Sequence, residues 1–354
     1  MKLLPSLLAL CLSVATQLVY AAPVDEGQSL GLPRSFKDVI IDTDFLSFTD
    51  DVGALAVANT LQNLGRVRIL GIVSDVQSRF AVPGIDAIDT WYCNPDIPFA
   101  QSQPVTNQID EVNNTAPEYI TTLANPALFP EDIHDGSNKT VQDPLTFYRT
   151  VLQRAKGKSI TIIGIGFLTH LNQLYQSPGG KELIRDKVAE LIIQGGDFGP
   201  NFFGPGPNRA GYNLLIDLQA AKVLEEWPSP VTFLPSDVGR NVTSGQVLEN
   251  TPKNNPIRVA NEIYHKGTQI GDGSWDILAT YYSILGIDEG SFRYGNTGGQ
   301  IRIFDNGTAA WDFNAYVPYE RRQHFLNLRQ SNETVAQKLN NLLAFYGERK
   351  PACR

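Results

Sequence analysis

The sequence predicts an α/β fold with a Rossmann-like, mostly parallel central sheet and helices on both faces. The apolar run at residues 39–41 is too short and too β-branched for a helix, so we interpret it as a buried strand. Residues 51–58 then have the composition of a helix, and residues 67–73 form the next apolar run. Strands and helices that alternate at this spacing are typical of parallel βαβ units.

The later elements continue this alternation. Further strands are predicted at residues 96–100, 159–166, 190–194 and 231–234. Further helices are predicted at residues 82–92, 117–123, 144–155, 168–176, 181–188, 214–226, 241–248, 256–264 and 275–285. Asn306-Gly307 lies between two short apolar runs and predicts a hairpin, and a last amphipathic helix is expected at residues 335–346.

Composition limits the possible function classes. The chain has 354 residues, of which 42% are hydrophobic and 19% charged, so we expect a single large α/β domain over residues 38–350. A net charge of −8 and a pI near 5.1 argue against a nucleic-acid-binding surface, which requires a basic patch. A small-molecule substrate is the expected partner, and the sequence leaves open whether the chain forms a homo-oligomer.

The first 21 residues have the pattern of a secretory signal peptide. Lys2 precedes an apolar run over residues 3–19, and Val19-Tyr20-Ala21 fits a cleavage site after Ala21. A membrane anchor is the alternative, although the run is short for a membrane span. We expect a polar lead-in over residues 22–37 and no membrane association once the signal is removed.

Glycosylation and cysteine usage agree with secretion. Five Asn-X-Ser/Thr acceptors predict an N-glycosylated, extracellular protein: Asn113, Asn138, Asn241, Asn306 and Asn332. Removal of the signal leaves only Cys93 and Cys353. These two residues could form a disulfide in an oxidising compartment, but the sequence does not give the distance between them.

Four carboxylates follow the first predicted strand within ten residues: Asp42, Asp44, Asp50 and Asp51. They lie at the carboxyl end of a strand and the start of a helix, where open α/β sheets bind their ligands. Four like charges this close repel one another unless a cation or a shared proton compensates. A hard divalent cation bound by carboxylate oxygens is the simplest interpretation.

Other interpretations of the four acids are less consistent with the sequence. Helix caps in a solvated loop need one or two acids rather than four. An EF-hand calcium loop requires ligands where this chain has Leu46 and Phe48. A phosphatase with an aspartyl nucleophile generally has Thr or Val at the position of Leu46.

The acidic segment resembles the signature of the inosine-uridine preferring nucleoside hydrolase family, in which D-T-D, a short loop and D-D precede a helix of small residues. The loop has five residues here, 45–49, whereas the family has three. Gly164–Leu171 resembles the family's strand end and L-T-N run, and Gln194-Gly195-Gly196 resembles its M-G-G. Asn213 matches a sugar-binding Asn, and Asp276 matches an Asp that begins a late helix.

The resemblance implies calcium-dependent hydrolysis of the N-glycosidic bond of ribonucleosides. It assigns Asp44 as both catalytic base and calcium ligand. The other implied calcium ligands are Asp50, Asp51, Asp276 and the main-chain carbonyl of Ile165. Asp42 is expected to order these ligands from behind. The implied substrate-binding residues are Asp50, Asn201, Asn213 and Trp275.

Three departures from the family pattern concern the sugar and the leaving base. Gly211 replaces a Glu that binds the ribose, and Ser78, with Asp75 nearby, stands where an Asn is expected. Trp275 replaces the His that protonates a departing purine in several members; an indole cannot transfer that proton but can stack on a base. The alternative is therefore a secreted, calcium-containing protein that binds nucleosides or sugars and has lost turnover.

Overall fold

The computed structural model describes residues 36–106, 118–131, 133, 140–198, 211–267 and 271–345. These residues group into one compact unit. The predicted signal peptide, Asn113, Asn138, Asn201 and Cys353 lie outside the described residues. Among the residues described, no helix has both the length and the apolar character that a membrane crossing requires.

The main sheet has eight strands in the order β3-β2-β1-β4-β5-β6-β12-β9, and every neighbouring pair is parallel except β12 and β9. The strands of the described residues are β1 (Lys37–Thr43), β2 (Val67–Ser74), β3 (Phe99–Gln101), β4 (Ile160–Gly164), β5 (Val188–Gln194), β6 (Val231–Leu234), β7 (Thr243–Ser244), β8 (Asp272–Gly273), β9 (Phe292–Tyr294), β10 (Gln300–Ile303), β11 (Ala309–Asp312) and β12 (Gln323–Leu328). The predicted fold class, a mostly parallel sheet in an α/β protein, is confirmed.

Helices cover both faces of this sheet. Those of the described residues are α1 (Asp50–Asn63), α2 (Ala81–Trp91), α3 (Glu118–Leu123), α4 (Pro144–Arg154), α5 (Thr169–Gln176), α6 (Gly180–Lys187), α7 (Tyr212–Ile216), α8 (Leu218–Ala221), α9 (Ser236–Arg240), α10 (Pro256–Tyr264), α11 (Trp275–Leu285) and α12 (Asn332–Leu343). Short 3-10 segments supplement them at residues 222–226, 246–250, 287–289 and 319–321.

β1 separates the two hydrophobic cores. Side chains alternate along a strand, so Val39 and Ile41 pack into the core that contains α1 and α11, whereas Ile40 packs into the core that contains α4 and α5. All three side chains are fully buried. The continuous apolar character of this run is therefore explained by burial on both faces of the sheet.

Helix α1 packs against α11 at Gly53. A Cβ atom added to Gly53 would lie 2.5 Å from Ile277 Cδ1, so a side chain at this position would require the Ile277 side chain to move. The small residues Ala54, Ala56 and Ala58 of the same helix are also buried. This packing brings the first turn of α11 beside the first turn of α1.

Two predicted helices are wrong in detail, and the predicted hairpin is confirmed. The segment 214–226 is interrupted at Asp217, whose carboxylate accepts the Ala220 N–H and starts a new short helix. The segment 241–248 is not one helix, because β7 pairs with β8 and Gly245 then adopts a φ of +107°. β10 and β11 pair antiparallel around Asn306-Gly307.

Candidate active site

The predicted site lies at the point where the strand order of the sheet reverses. β1 is flanked by β2 on one side and β4 on the other, so the chain winds away from β1 in both directions. Ligands of open α/β sheets bind in the crevice at the carboxyl ends of such strands. Ile165, just after β4, donates its N–H to the Asp42 carbonyl at 2.8 Å, which joins the two strand ends.

Three predicted ligands converge in this crevice. Carboxylate oxygens of Asp50, Asp51 and Asp276 all lie within 4.8 Å of one another, and we call these residues the acidic triad. Asp50 and Asp51 begin α1, and Asp276 is the second residue of α11. The close packing of the two helices therefore assembles the triad from residues more than two hundred positions apart.

The carboxyl groups of the triad oppose one another electrostatically. Burial raises the pKa of Asp50 to about 6. Burial, followed by the charges of Asp50, Asp51 and Asp44, raises the pKa of Asp276 well above its ordinary value. Thr43 donates its hydroxyl to Asp51 and so fixes one carboxylate oxygen. Asp44, which follows β1, is buried and close enough to Asp276 to affect its titration.

Asn213 and Ile165 meet on the other side of the crevice. The Asn213 side-chain amide donates to the Ile165 carbonyl at 3.0 Å and to Gln194 Oε1 at 3.0 Å. Gln194, the last residue of β5, thus orients Asn213, a role that the sequence analysis missed. Nothing in the sequence distinguished this glutamine except its position before the two glycines.

The five-residue loop after Asp44 is held in place from outside the sheet. The Tyr119 hydroxyl lies 2.8 and 2.6 Å from the main-chain carbonyl oxygens of Leu46 and Phe48, which share its one proton. Leu46 is fully buried, whereas 44% of the Phe48 side chain is exposed. Phe48 packs edge-on against Tyr212, with ring centroids 5.4 Å apart. The longer loop therefore contributes an aromatic side chain beside Asn213.

Trp275 is fixed by its indole nitrogen. The N–H donates to the Ser236 carbonyl at 2.8 Å, and the ring packs against Gly239 and Gly273 so closely that a Cβ added to either glycine would clash with it. The side chain is half-buried. These contacts anchor α11, and the exposed part of the ring remains available for stacking.

The backbone conformation of Gly211 explains why the family's Glu is missing at this position. Its φ of +93° lies in a region that residues with a side chain rarely adopt. A Cβ there would also lie 3.1 Å from the Gly196 nitrogen. A glutamate at this position would be strained, so the ribose contact expected of that residue is absent from this backbone position.

A second group of titratable side chains lies behind the triad. Asp42, Asp75 and His170 each offer one ligand-type atom, these atoms lie within 4.8 Å of one another, and all three residues are buried. We call them the inner cluster. The sequence analysis had placed Asp42 behind the calcium ligands but gave no role to His170. The replacement of Asn by His170 in the L-T-N run was the available signal.

Burial dominates the electrostatics of the inner cluster. It raises the pKa of Asp75 to about 8 and, together with the charge of Asp75, raises the pKa of Asp42 well above its ordinary value. Burial also lowers the pKa of His170, which favours the neutral imidazole. Ser78, at the position where the family has an Asn, is buried and accepts a hydrogen bond from the Phe80 N–H.

The fold is similar to that of several solved nucleoside hydrolases. A plant nucleoside hydrolase shares 17% identity and a TM-score of 0.64, and the match covers 87% of this chain and 99% of that chain. A purine-preferring ribonucleoside hydrolase from Gardnerella vaginalis shares 15% identity and a TM-score of 0.64, over 87% and 98% of the two chains. No protein-family model and no curated protein matches the sequence.

The same fold also occurs in a protein of another kind. The type III effector XopQ, solved with adenosine diphosphate ribose, shares 16% identity and a TM-score of 0.65, over 88% of this chain and 94% of that chain. At these identities the comparisons establish the fold and leave the chemistry to the site residues themselves.

Proposed function

We propose that this protein is a calcium-dependent hydrolase that cleaves the N-glycosidic bond of ribonucleosides to give free base and ribose. The observation that carries the proposal is the convergence of Asp50, Asp51 and Asp276, with Asp44 beside them, at the strand-reversal crevice. The similarity of the fold to solved nucleoside hydrolases supports it.

The donor atoms in the crevice suit a hard divalent cation. The candidate ligands are Asp44, Asp50, Asp51, Asp276 and the Ile165 carbonyl, and all of them offer oxygen, which calcium prefers. Burial, followed by the charges of Asp50, Asp51 and Asp44, raises the pKa of Asp276, and a bound cation would stabilise its ionised form. When bound, calcium would lower the pKa of a water molecule and orient the ribose hydroxyls.

Asp44 is positioned to act as the general base. It follows β1 directly and is buried, so its carboxylate would accept the proton of the water that attacks the sugar. Asn213 donates through Nδ2 to Ile165 and Gln194, which turns its Oδ1 toward other partners. We assign that oxygen to a ribose hydroxyl, together with Asp50 and, from the segment that is not described, Asn201.

The departing base needs a proton donor other than Trp275. Trp275 cannot protonate it, because an indole N–H does not titrate in the useful range and donates to Ser236 here. We assign Trp275 to stacking on the base. Phe48 and Tyr212, whose rings pack edge-on next to Asn213, are further aromatic candidates for that contact. The departing base would then take its proton from solvent.

We also propose that the protein is secreted and N-glycosylated. Cys93 is disulfide-bonded, which suits an oxidising compartment. Its predicted partner, Cys353, lies outside the described residues. The acceptors Asn241 and Asn332 are exposed, as glycan attachment requires.

A binding protein without turnover is the second candidate. The backbone at Gly211 excludes the ribose-binding Glu of the family pattern, and the XopQ effector shows that this fold can hold adenosine diphosphate ribose. The two candidates differ in the expected effect of Asp44→Asn. The hydrolase would lose turnover with its fold intact, whereas a binder has no turnover to lose.

The direct test is release of reducing sugar from inosine, uridine, adenosine and cytidine by the purified protein, with and without a calcium chelator. We expect release from at least one nucleoside, abolished by chelation and restored by calcium. Bound calcium with no release from any nucleoside would overturn the proposed activity and favour the binding candidate.

A further inference from the structure

The inner cluster is sealed from solvent. Asp42 is fully buried, the Asp75 side chain has no exposed surface and the His170 side chain is 3% exposed. Two carboxyl groups and an imidazole in such a place require a counter-charge, because an isolated buried carboxylate is strongly disfavoured. The hydrogen bonds of the cluster indicate which counter-charge it holds.

One oxygen of each carboxylate is fixed by a neighbouring group. Asp42 Oδ2 accepts the hydroxyl proton of Tyr148, which comes from α4. Asp75 Oδ2 accepts the main-chain N–H of Phe167 at 2.7 Å. Each carboxylate is thereby oriented so that its other oxygen points into the cluster.

The imidazole of His170 is held in the same way. Its Nε2 lies 2.9 Å from the Ser102 hydroxyl, with which it forms a hydrogen bond. When Nε2 carries the proton and donates to Ser102, Nδ1 presents a lone pair. Nδ1 lies 2.8 Å from Asp75 Oδ1, on the inner side of the cluster.

The three inward atoms have no hydrogen-bond partner within the described part of the chain: Asp42 Oδ1, Asp75 Oδ1 and His170 Nδ1. The contact between Nδ1 and Asp75 Oδ1 is short, yet it lacks the direction of a hydrogen bond. Two atoms at this separation that do not point at each other are arranged as neighbouring ligands of one ion. Their outer atoms are held by Tyr148, Phe167 and Ser102, as the supporting groups of metal sites hold their ligands.

The cluster is separate from the acidic triad. Asp42 projects to the face of β1 that contains Ile40, α4 and α5, whereas Thr43 projects to the opposite face and donates to Asp51 of the triad. The donor sets also differ, because the triad offers only oxygen and the inner cluster adds an imidazole nitrogen. Imidazole with carboxylates suits a borderline transition cation such as zinc, whereas calcium prefers oxygen alone.

We propose that Asp42, Asp75 and His170 bind a second divalent cation of the zinc class, independently of the cation at the acidic triad. Two carboxylates and a neutral imidazole balance the charge of one such ion. The site is enclosed, so the ion enters during folding and stabilises the junction of β1, β2 and α5. The competing counter-charge is a proton shared by Asp42 and Asp75.

The test is the metal content of the full-length protein, secreted into zinc-supplemented medium, washed with a calcium-selective chelator and measured by elemental mass spectrometry. We expect about one zinc per chain. His170→Gln should reduce it at least about tenfold while the calcium-induced rise in Tm persists. Asp276→Asn should have the reverse effect, so failure of the zinc site and failure of the proposed calcium site are distinguishable.

Two further variants test whether misfolding accounts for a loss of zinc. Tyr148→Phe conserves volume and removes the hydroxyl that orients Asp42, so it should weaken zinc affinity about 10- to 100-fold, measured by competition with a chromophoric zinc chelator. His324→Gln, in β12 and outside the cluster, is the matched control and should retain zinc. Zinc-free wild-type protein, or zinc content unchanged in His170→Gln, would overturn the proposal and leave the shared proton as the counter-charge.

Discussion

The acidic triad and the inner cluster lie at the same end of β1, on opposite faces, and differ in how they handle buried charge. The triad gathers three carboxyl groups in the strand-reversal crevice, where burial, followed by the neighbouring charges, raises the pKa of Asp276. The inner cluster is closed, and each of its residues is fixed by an outer hydrogen bond. The residues around one strand end thus form two clusters with different donor atoms, oxygen alone in the triad and oxygen with an imidazole nitrogen in the inner cluster.

The largest expected effect is on kcat/KM and leaves the stability of the protein and its zinc content unchanged. Asp44→Asn keeps the shape of the side chain but removes the base, so kcat/KM for the preferred nucleoside should fall about 10²- to 10⁴-fold. Tm in the absence of calcium should stay within about 2 °C of wild type, and zinc content should not change. An Asp44→Asn protein with wild-type turnover would show that another group is the base.

The second effect concerns the buried negative charge of the acidic triad. Asp276→Asn removes one buried carboxylate of the triad, so the calcium-dependent gain in Tm should shrink by at least half. Without calcium, the variant should be more stable than wild type by about 1 kcal/mol, because it no longer buries an ionisable carboxyl group beside Asp50 and Asp51. Thermal unfolding with calcium and with chelator measures both quantities. A calcium response equal to that of wild type would exclude Asp276 as a ligand.

The third effect displaces Asp276 of the acidic triad and leaves the inner cluster unchanged. Gly53→Ala puts a methyl group 2.5 Å from Ile277 Cδ1, which should force the Ile277 side chain and the start of α11 to shift and cost about 1–3 kcal/mol of stability. Calcium affinity should fall as Asp276 moves, whereas the inner cluster, on the other face, should retain its zinc.

The matched control for this prediction is Gly53→Ala combined with Ile277→Val, which removes the clashing methyl group. Stability and calcium affinity should both recover in part. If the double variant is no better than Gly53→Ala alone, the close approach of α1 and α11 is not what positions Asp276.

The smallest effect is the pH dependence of stability without calcium. Burial raises the folded-state pKa of Asp50 to about 6 and that of Asp197, three residues after the end of β5, to about 7, both above the ordinary value of about 4. The native state therefore keeps protons that the unfolded chain releases near pH 4, so its stability falls as the pH rises from about 4 to these values and levels off above them. The Tm of chelated protein should drop between pH 5 and about pH 7 and then change little up to pH 8. Saturating calcium should reduce the drop, because it stabilises ionised Asp50; a Tm that rises over this range would contradict the account.

The fold class and two residues of the triad were predictable because their signals are local. β-branched runs between helical segments predict parallel strands. Asp50 and Asp51 stand next to each other in one acidic segment of the sequence. Asp276 was found only through the family resemblance, since its contact with α1 depends on packing at Gly53. The helix predicted at residues 241–248 failed because the pairing of β7 with β8 outweighed local propensity.

The inner cluster was not predictable in the same way. Asp42, Asp75 and His170 come from three separate parts of the chain, and the replacement of Asn by His170 in the L-T-N run was the one sequence signal among them. Tyr148 and Ser102 complete the arrangement from two further segments. Only the parallel register of β1 with β2 and β4 brings these residues together.

The most direct measurement is a calcium titration of chelated wild-type protein in which nucleoside hydrolysis and Tm are followed in the same samples. If the acidic triad binds the cation that catalysis needs, activity will rise from the background rate and saturate over the same calcium range as Tm, and Asp276→Asn will shift both curves to higher calcium. Hydrolysis at the full rate in chelated protein, or a Tm that responds to calcium while activity does not, would contradict the account.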